Sequence, residues 1–483
     1  MAVAATLVAL AQPVAGHAEG LERVDAAVRV GPGPAAAVIG PGAVGVDAQF
    51  WNANTVKPEV PGLLRAAGVQ TLDWDAGMPV DMYDWQTSTL RPDPGKAQHP
   101  YDYTLLRPKF GFDQFAGLAR AGDIEHKLVH VNYGTGTPEE AAAWVRYANN
   151  EKRYGVKYWE IGESMHFNGW SPTQENIEPD GHAYKSPQAY ARNVLEFARA
   201  MKAADPTIRV GVGLSSRDSD AELTDWNTTV LEIVGRDIDF VDLFVFGSGW
   251  PPMADADLLN RPRANGDLVA RFRDLIDQHA GPGHRVEIII GEAASVANAT
   301  GQQVRTVSAL FLADHYLTLL EGGASQVHWY ALLGQIMGNT AAGYGDGGLL
   351  SSGLCAADSP MVEPSDYCQP PATTPFPAYY GLKLLQQLTP AGAELLPATS
   401  SDGRIVAHAT RRPDGRTAVL LINQDPNADH TVRLDVPGPH NRDTTVFTYG
   451  THSTDIEYTT RTVDLDQSVT VSPYSLTVLV LDS

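Results

Sequence analysis

The chain predicts an α/β protein: a (β/α)₈ TIM barrel followed by a C-terminal antiparallel β-sandwich. Three observations carry this prediction. Apolar runs rich in β-branched residues alternate with amphipathic segments as far as about residue 330. Several of those runs end in a polar or charged residue, where a barrel carries its functional groups. From about residue 391 the rhythm changes to short alternating runs separated by turn signals such as Pro413-Asp414-Gly415.

In chain order the predicted barrel strands are 44–51, 69–74, 127–133, 156–163, 208–214, 240–246, 286–292 and 326–330. Helical patterns lie between them, at 112–121, 138–154, 187–204, 220–234, 268–279 and 304–321. Two of these, 138–154 and 187–204, open with Pro in the first turn, a position helices favour. A Gly/Ser/Pro-rich loop at 334–376 leads into a last helix at 378–388, and its length suits a lid over a cleft or an irregular surface segment. Short runs at 405–410, 417–423, 431–436, 444–449, 462–465 and 476–481 then read as sandwich strands. The domain expectation is a possible signal peptide at 1–18, an N-terminal segment at 19–40 pairing with the sandwich, a barrel at 41–390 and a sandwich at 391–483.

The chain has 483 residues and a formal net charge of -22. So acidic a surface argues against nucleic acid or an anionic membrane as partner. Residues 1–18 are Ala/Val/Leu-rich and nearly uncharged, ending in Gly16-His17-Ala18, which suits an exported protein even though the n-region lacks Lys or Arg. No later segment reaches transmembrane length free of charge. The two cysteines, Cys355 and Cys368, share one loop and fit a disulfide in an exported chain, with two free thiols as the alternative. No CxxC or His cluster suggests a metal, no cofactor is expected, and the sequence leaves the oligomeric state open.

The run Val286-Glu287-Ile288-Ile289-Ile290-Gly291-Glu292 is nearly continuous in apolar character and closes on a carboxylate. It is the seventh strand; the fourth closes on Glu163. Two carboxylates on opposite walls of a barrel mouth suit hydrolysis of a glycosidic bond, with one as nucleophile and one as acid/base. Trp51, Trp74, Trp250 and Trp329 fall at or just after strand ends, where an indole face stacks on a sugar or packs in the core. Asn132 closes strand three, where it either meets a sugar hydroxyl or caps a turn. Asp73 lies next to the end of strand two, where a further substrate contact is expected.

Several stretches resemble the clan A, or "four/seven", glycoside hydrolases, and the α-L-arabinofuranosidase-like proteins of actinobacteria in particular. They are 131–142, Val156-Lys157-Tyr158-Trp159-Glu160-Ile161-Gly162, Ser295-Val296-Ala297-Asn298, 309–314 and Pro473-Tyr474-Ser475-Leu476-Thr477-Val478. The resemblance implies a carbohydrate substrate and makes Glu292 the nucleophile. It also exposes departures. The family's Trp-Glu-Ile-Gly-Asn-Glu reads Trp159-Glu160-Ile161-Gly162-Glu163-Ser164 here, so Ser164 stands in the acid/base place and Glu163 in the Asn place. Its Arg-Tyr-Pro-Gly-Gly reads Asp73-Trp74-Asp75-Ala76-Gly77, its His before the strand-six aromatic becomes Phe244, and its Trp-Trp-Asp-Leu-His becomes Trp329-Tyr330-Ala331-Leu332-Leu333. A serine hydroxyl is too weak an acid to protonate a leaving group. Three readings follow: Glu163 as acid/base; Asp73, Asp75 or His166 as proton donor; or a non-catalytic glycan-binding protein.

Overall fold

The computed structural model describes residues 25–482 except 32, 34, 76, 95–101, 249–252, 297–299, 340–342, 359–364 and 466. Trp250 and the possible signal peptide lie outside the described residues.

Eight parallel strands close into a barrel in simple chain order: Val44–Asp47, Thr71–Trp74, His126–Val131, Tyr158–Ile161, Arg209–Leu214, Phe240–Ser248, Glu287–Val296 and Gln326–Trp329. They are strands one to eight below. Each is followed by helix, from Val60–Ala66 after strand one to Pro377–Leu385 after strand eight. Helix starts carry their expected caps. The Thr137 hydroxyl accepts from the Glu140 N–H while Glu140 reaches back to Thr137, and Ser186 and Asp220 cap the next two helices.

Two boundaries bear on the site. Strand four ends at Ile161, earlier than its pattern suggests, and the chain then turns through Gly162 at φ 74° to present Glu163. Strand seven continues to Val296, well past Glu292. Its register shifts between Ile289 and Glu292 against strand six, and between Ile290 and Ala293 against strand eight. Such an irregularity re-aims side chains, and Glu292 sits on it. Gly291 is required there, because a Cβ would run into the Asp242 carboxyl; instead the Gly291 N–H donates to Asp242 Oδ1 at 2.6 Å.

The C-terminal region forms two facing sheets. One has six antiparallel strands, with Ser475–Leu481 between Thr417–Asn423 and Asn441–Gly450. The other has four, and its second member is the N-terminal strand Ala26–Val30, antiparallel to Ala398–Ser400 and parallel to His430–Asp435. Val28, Leu421, Leu479 and Val432 fill the space between the sheets. The sandwich is tied to the barrel by His408, whose ring nitrogens meet Glu321 at 2.9 Å and Asp314 at 3.1 Å on helix Thr306–Glu321. Cys355 and Cys368 are joined by a disulfide. Among the described residues no helix is long and apolar enough to cross a membrane.

Candidate active site

A TIM-barrel interior is ordinarily filled with branched aliphatic side chains. Here six strands instead send ionisable side chains into buried positions: Asp47, Asp73, His130, Glu160, Asp242 and His328, each no more than 1% exposed. They form a polar chain across the barrel. Glu163 meets His130 Nδ1 at 2.7 Å, His130 Nε2 lies 3.3 Å from Asp73 Oδ1, and Asp73 Oδ2 lies 2.8 Å from His328 Nδ1. His328 Nε2 then reaches Gln326 Oε1 at 3.1 Å. Gly45 makes room for the His328 ring, which occupies the space a Cβ would need.

Asp81 anchors the end of strand four. One of its oxygens accepts from the backbone N–H groups of Tyr133 and Gly134, both at 2.7 Å, and the other from the Glu163 N–H at 2.9 Å. Glu163 is 1% exposed and Glu292 8%. Asp75 stands between them. Oxygens of Asp75, Glu292 and Asp47 lie within 4.8 Å of one another, and Asp75 makes a second such group with His130 and Glu163.

This crowding sets the protonation states. Burial, then the charges of Asp75 and Glu163, push the Glu292 carboxyl well above the usual range. Burial and Asp75 push Glu163 up to about 8, against the opposing pull of His130. Asp73 goes the other way: burial would raise it, but His130 and His328 outweigh burial and bring it to about 2. Burial would lower His130, but Glu160, Glu163 and Asp73 together raise it well above its ordinary value. At neutral pH the site therefore holds an ionised Asp73, a cationic His130 and a protonated Glu163.

These states sort the possible proton donors. Asp73 keeps no proton to give. Burial and the nearby Arg217 charge lower His166 to about 3, so its imidazole is neutral and carries no acidic proton near neutrality. Burial and the charge of Asp73 raise Asp75, against the pull of His130. Ser164 is buried and opens the short turn Met165–Phe167.

Several expected sugar contacts have other employment. Trp74 is 0% exposed and packs among Phe50, Tyr83, Phe110, Phe112 and Phe115, on the helix side of the strand. Trp329 is 1% exposed, stacks on Tyr316 and donates from Nε1 to the Gly347 carbonyl. Both indoles are consumed by packing, which corrects the expectation that they face a cleft. Asp73 is corrected likewise: it is spent on two histidines inside the barrel. Asn132 caps a turn, accepting from the Thr135 N–H at 2.8 Å and donating to the Tyr83 carbonyl at 3.1 Å. Trp51 is half-buried against the core. Sequence reasoning missed His130, Asp242 and Asp81. The available signal was a single ionisable residue within each otherwise apolar run, as in Leu128-Val129-His130-Val131 and Phe240-Val241-Asp242-Leu243.

No protein-family model matches the chain. A probable α-L-arabinofuranosidase C of Aspergillus clavatus is 30% identical over 117 residues, 21% of this chain and 21% of the relative. An intracellular exo-α-(1→5)-L-arabinofuranosidase of Streptomyces lividans is 26% identical over 213 residues, 40% of this chain and 30% of the relative. The chain thus spans under a third of the length of these curated relatives. Structural likeness runs much further. The thermostable GH51 α-L-arabinofuranosidase of Thermotoga petrophila superposes with a TM-score of 0.69 over 95% of this chain and 100% of that one, at 19% identity. The fold is that of the family 51 arabinofuranosidases. The likeness covers 95% of this chain, so it takes in both the barrel and the sandwich.

Proposed function

We propose that the protein is a retaining glycoside hydrolase acting on a furanoside of the α-L-arabinofuranosyl type, with Glu292 as nucleophile and Glu163 as acid/base. The observation that carries this reading is the pair of buried glutamates, Glu163 just past strand four and Glu292 within strand seven, joined through Asp75, in a barrel-plus-sandwich shared with arabinofuranosidases. The names of the curated relatives support the sugar class.

The chemistry runs in two displacements. Protonated Glu163 gives its proton to the leaving glycosidic oxygen while ionised Glu292 attacks the anomeric carbon, forming an ester and releasing the aglycone. Glu163, now a carboxylate, takes a proton from water. That water attacks the same carbon, the ester breaks, and Glu292 leaves as carboxylate. The reactive form needs one proton on Glu163 and none on Glu292. Both carboxyls are raised, so the reactive form is the one in which Glu292 has given up its proton while Glu163 keeps its own. Hydroxyl donors of a sugar favour it by solvating ionised Glu292, because hydrogen bonds to the charged form stabilise that form.

A panel of aryl glycosides tests the proposal. Release of aryl alcohol from an α-L-arabinofuranoside, lost in Glu292→Gln, is expected. Saturable binding of arabino-oligosaccharides with no hydrolysis of any member would overturn it in favour of a glycan-binding protein.

A further inference from the structure

We propose that Asp47, Asp75 and Glu292 form a binding site for one hard divalent cation, of the calcium or manganese kind, in the barrel. The inference goes beyond the hydrolase reading: it uses Glu292 but requires no hydrolysis. Geometry comes first. Carboxylate oxygens of all three residues lie within 4.8 Å of one another. Calcium holds its oxygens at about 2.3–2.6 Å, so two ligands facing each other across the ion stand about 5 Å apart. Three oxygens this close together can converge on one ion of that size.

The second observation is Asp47 itself. It is 0% exposed, and neither of its carboxyl oxygens has a hydrogen-bond partner. A buried carboxylate without donors is costly unless something positive meets it. The available histidines are engaged: His130 between Glu163 and Asp73, and His328 between Asp73 and Gln326. Asp73, by contrast, has its charge answered by both imidazoles. Asp47 keeps both oxygens without a hydrogen-bond donor and stands within 4.8 Å of ligand atoms of Asp75 and Glu292 on one side and of Asp73 and His328 on the other.

Donor chemistry selects the ion. The three ligands are all carboxylate oxygens, which suit calcium, manganese or magnesium and give little advantage to zinc or copper. Magnesium's near-ideal octahedral demand and reluctance to shed water fit an all-protein cage least well. Ion and glycoside would compete for Glu292, so in an active hydrolase the cation inhibits and a chelator restores activity.

The full chain, stripped with chelator, is titrated with CaCl₂, MnCl₂ and MgCl₂ by calorimetry near pH 8, with thermal melting alongside. One equivalent of calcium or manganese is expected to bind with proton release and a raised Tm. Asp47→Asn should weaken binding about tenfold or more, whereas Glu139→Gln, on an exposed helix start, leaves it unchanged. If Asp47→Asn does not fold, Glu292→Gln carries the same comparison. No heat and no Tm shift up to about 10 mM of any of the three ions, beyond the weak end of calcium sites, overturns the proposal. Undiminished binding in both Asp47→Asn and Glu292→Gln also overturns it. Binding without hydrolysis of any glycoside would sustain this inference while removing the hydrolase reading, so the two fail separately.

Discussion

Glu163 keeps a proton at neutral pH because it is buried beside Asp75, even with His130 2.7 Å away. That gives the single-residue account a pH signature. The alkaline limb of kcat/KM, which reports the free enzyme's acid, is expected near pH 8, where Glu163 would lose its proton. Glu163→Gln should remove that limb and slow a substrate with a poor leaving group far more than one with an activated aryl group. An unchanged limb in Glu163→Gln would transfer the role to Asp75. Glu292→Gln should lower kcat by at least about a thousandfold, as loss of a group acting at the reacting centre does, with little change in melting temperature. The residue level is also where the sequence was least complete. Glu292 was legible because a β-branched run ends on it. Glu163 and Ser164 were legible as a departure from a motif. His130 was not: a lone histidine in an apolar strand reads as packing until the closed barrel brings Asp73 and Glu163 to its two nitrogens.

At the scale of strands, periodicity located all eight barrel members, since continuous apolar runs between helices have few other solutions. It did not locate their ends. Strand seven runs through Glu292 to Val296 because the register shift lets pairing resume beyond it, and no local pattern signals such a shift. The expectation of indoles in the cleft failed for a related reason. Alternate side chains on a barrel strand face opposite sides, and Trp74 follows inward-facing Asp73, so it is sent to the helices. The polar ring made by these strands has its own stability signature. The carboxyl of Asp73 is depressed from 3.8 to about 2, so its contribution is present above pH 3.8 and is lost as pH falls through about 2. Asp73→Ala removes a counter-charge of cationic His130 and the hydrogen-bond partner of His328 Nδ1, and should cost about 3–5 kcal/mol in urea unfolding at pH 7. A loss below about 1 kcal/mol would mean that the histidines are held by something else.

At the scale of the molecule, the barrel and sandwich meet through His408. Burial would lower this imidazole, but Glu321 and Asp314 raise it from 6.5 to about 10. A raised folded value means the contact contributes fully below pH 6.5 and fades as pH climbs toward 10. His408→Gln should therefore destabilise the protein by about 3 kcal/mol at pH 6 and by much less at pH 10, measured by denaturant unfolding at both values. A penalty equal at the two pH values would assign the residue to packing alone. The acidic balance of -22 keeps so large a surface soluble and unattractive to polyanions. We propose that the protein is exported, which a secretion assay would test.

The central claim is that Glu292 becomes covalently bonded to the sugar. The direct measurement is mass spectrometry of Glu163→Gln after reaction with an activated aryl α-L-arabinofuranoside, in which the second displacement lacks its base and the ester accumulates. The account predicts a mass gain of one pentosyl unit, mapped to the peptide containing Glu292 and absent from the Glu292→Gln variant. Turnover by the wild type with inverted anomeric configuration, and no adduct on Glu292, would contradict it.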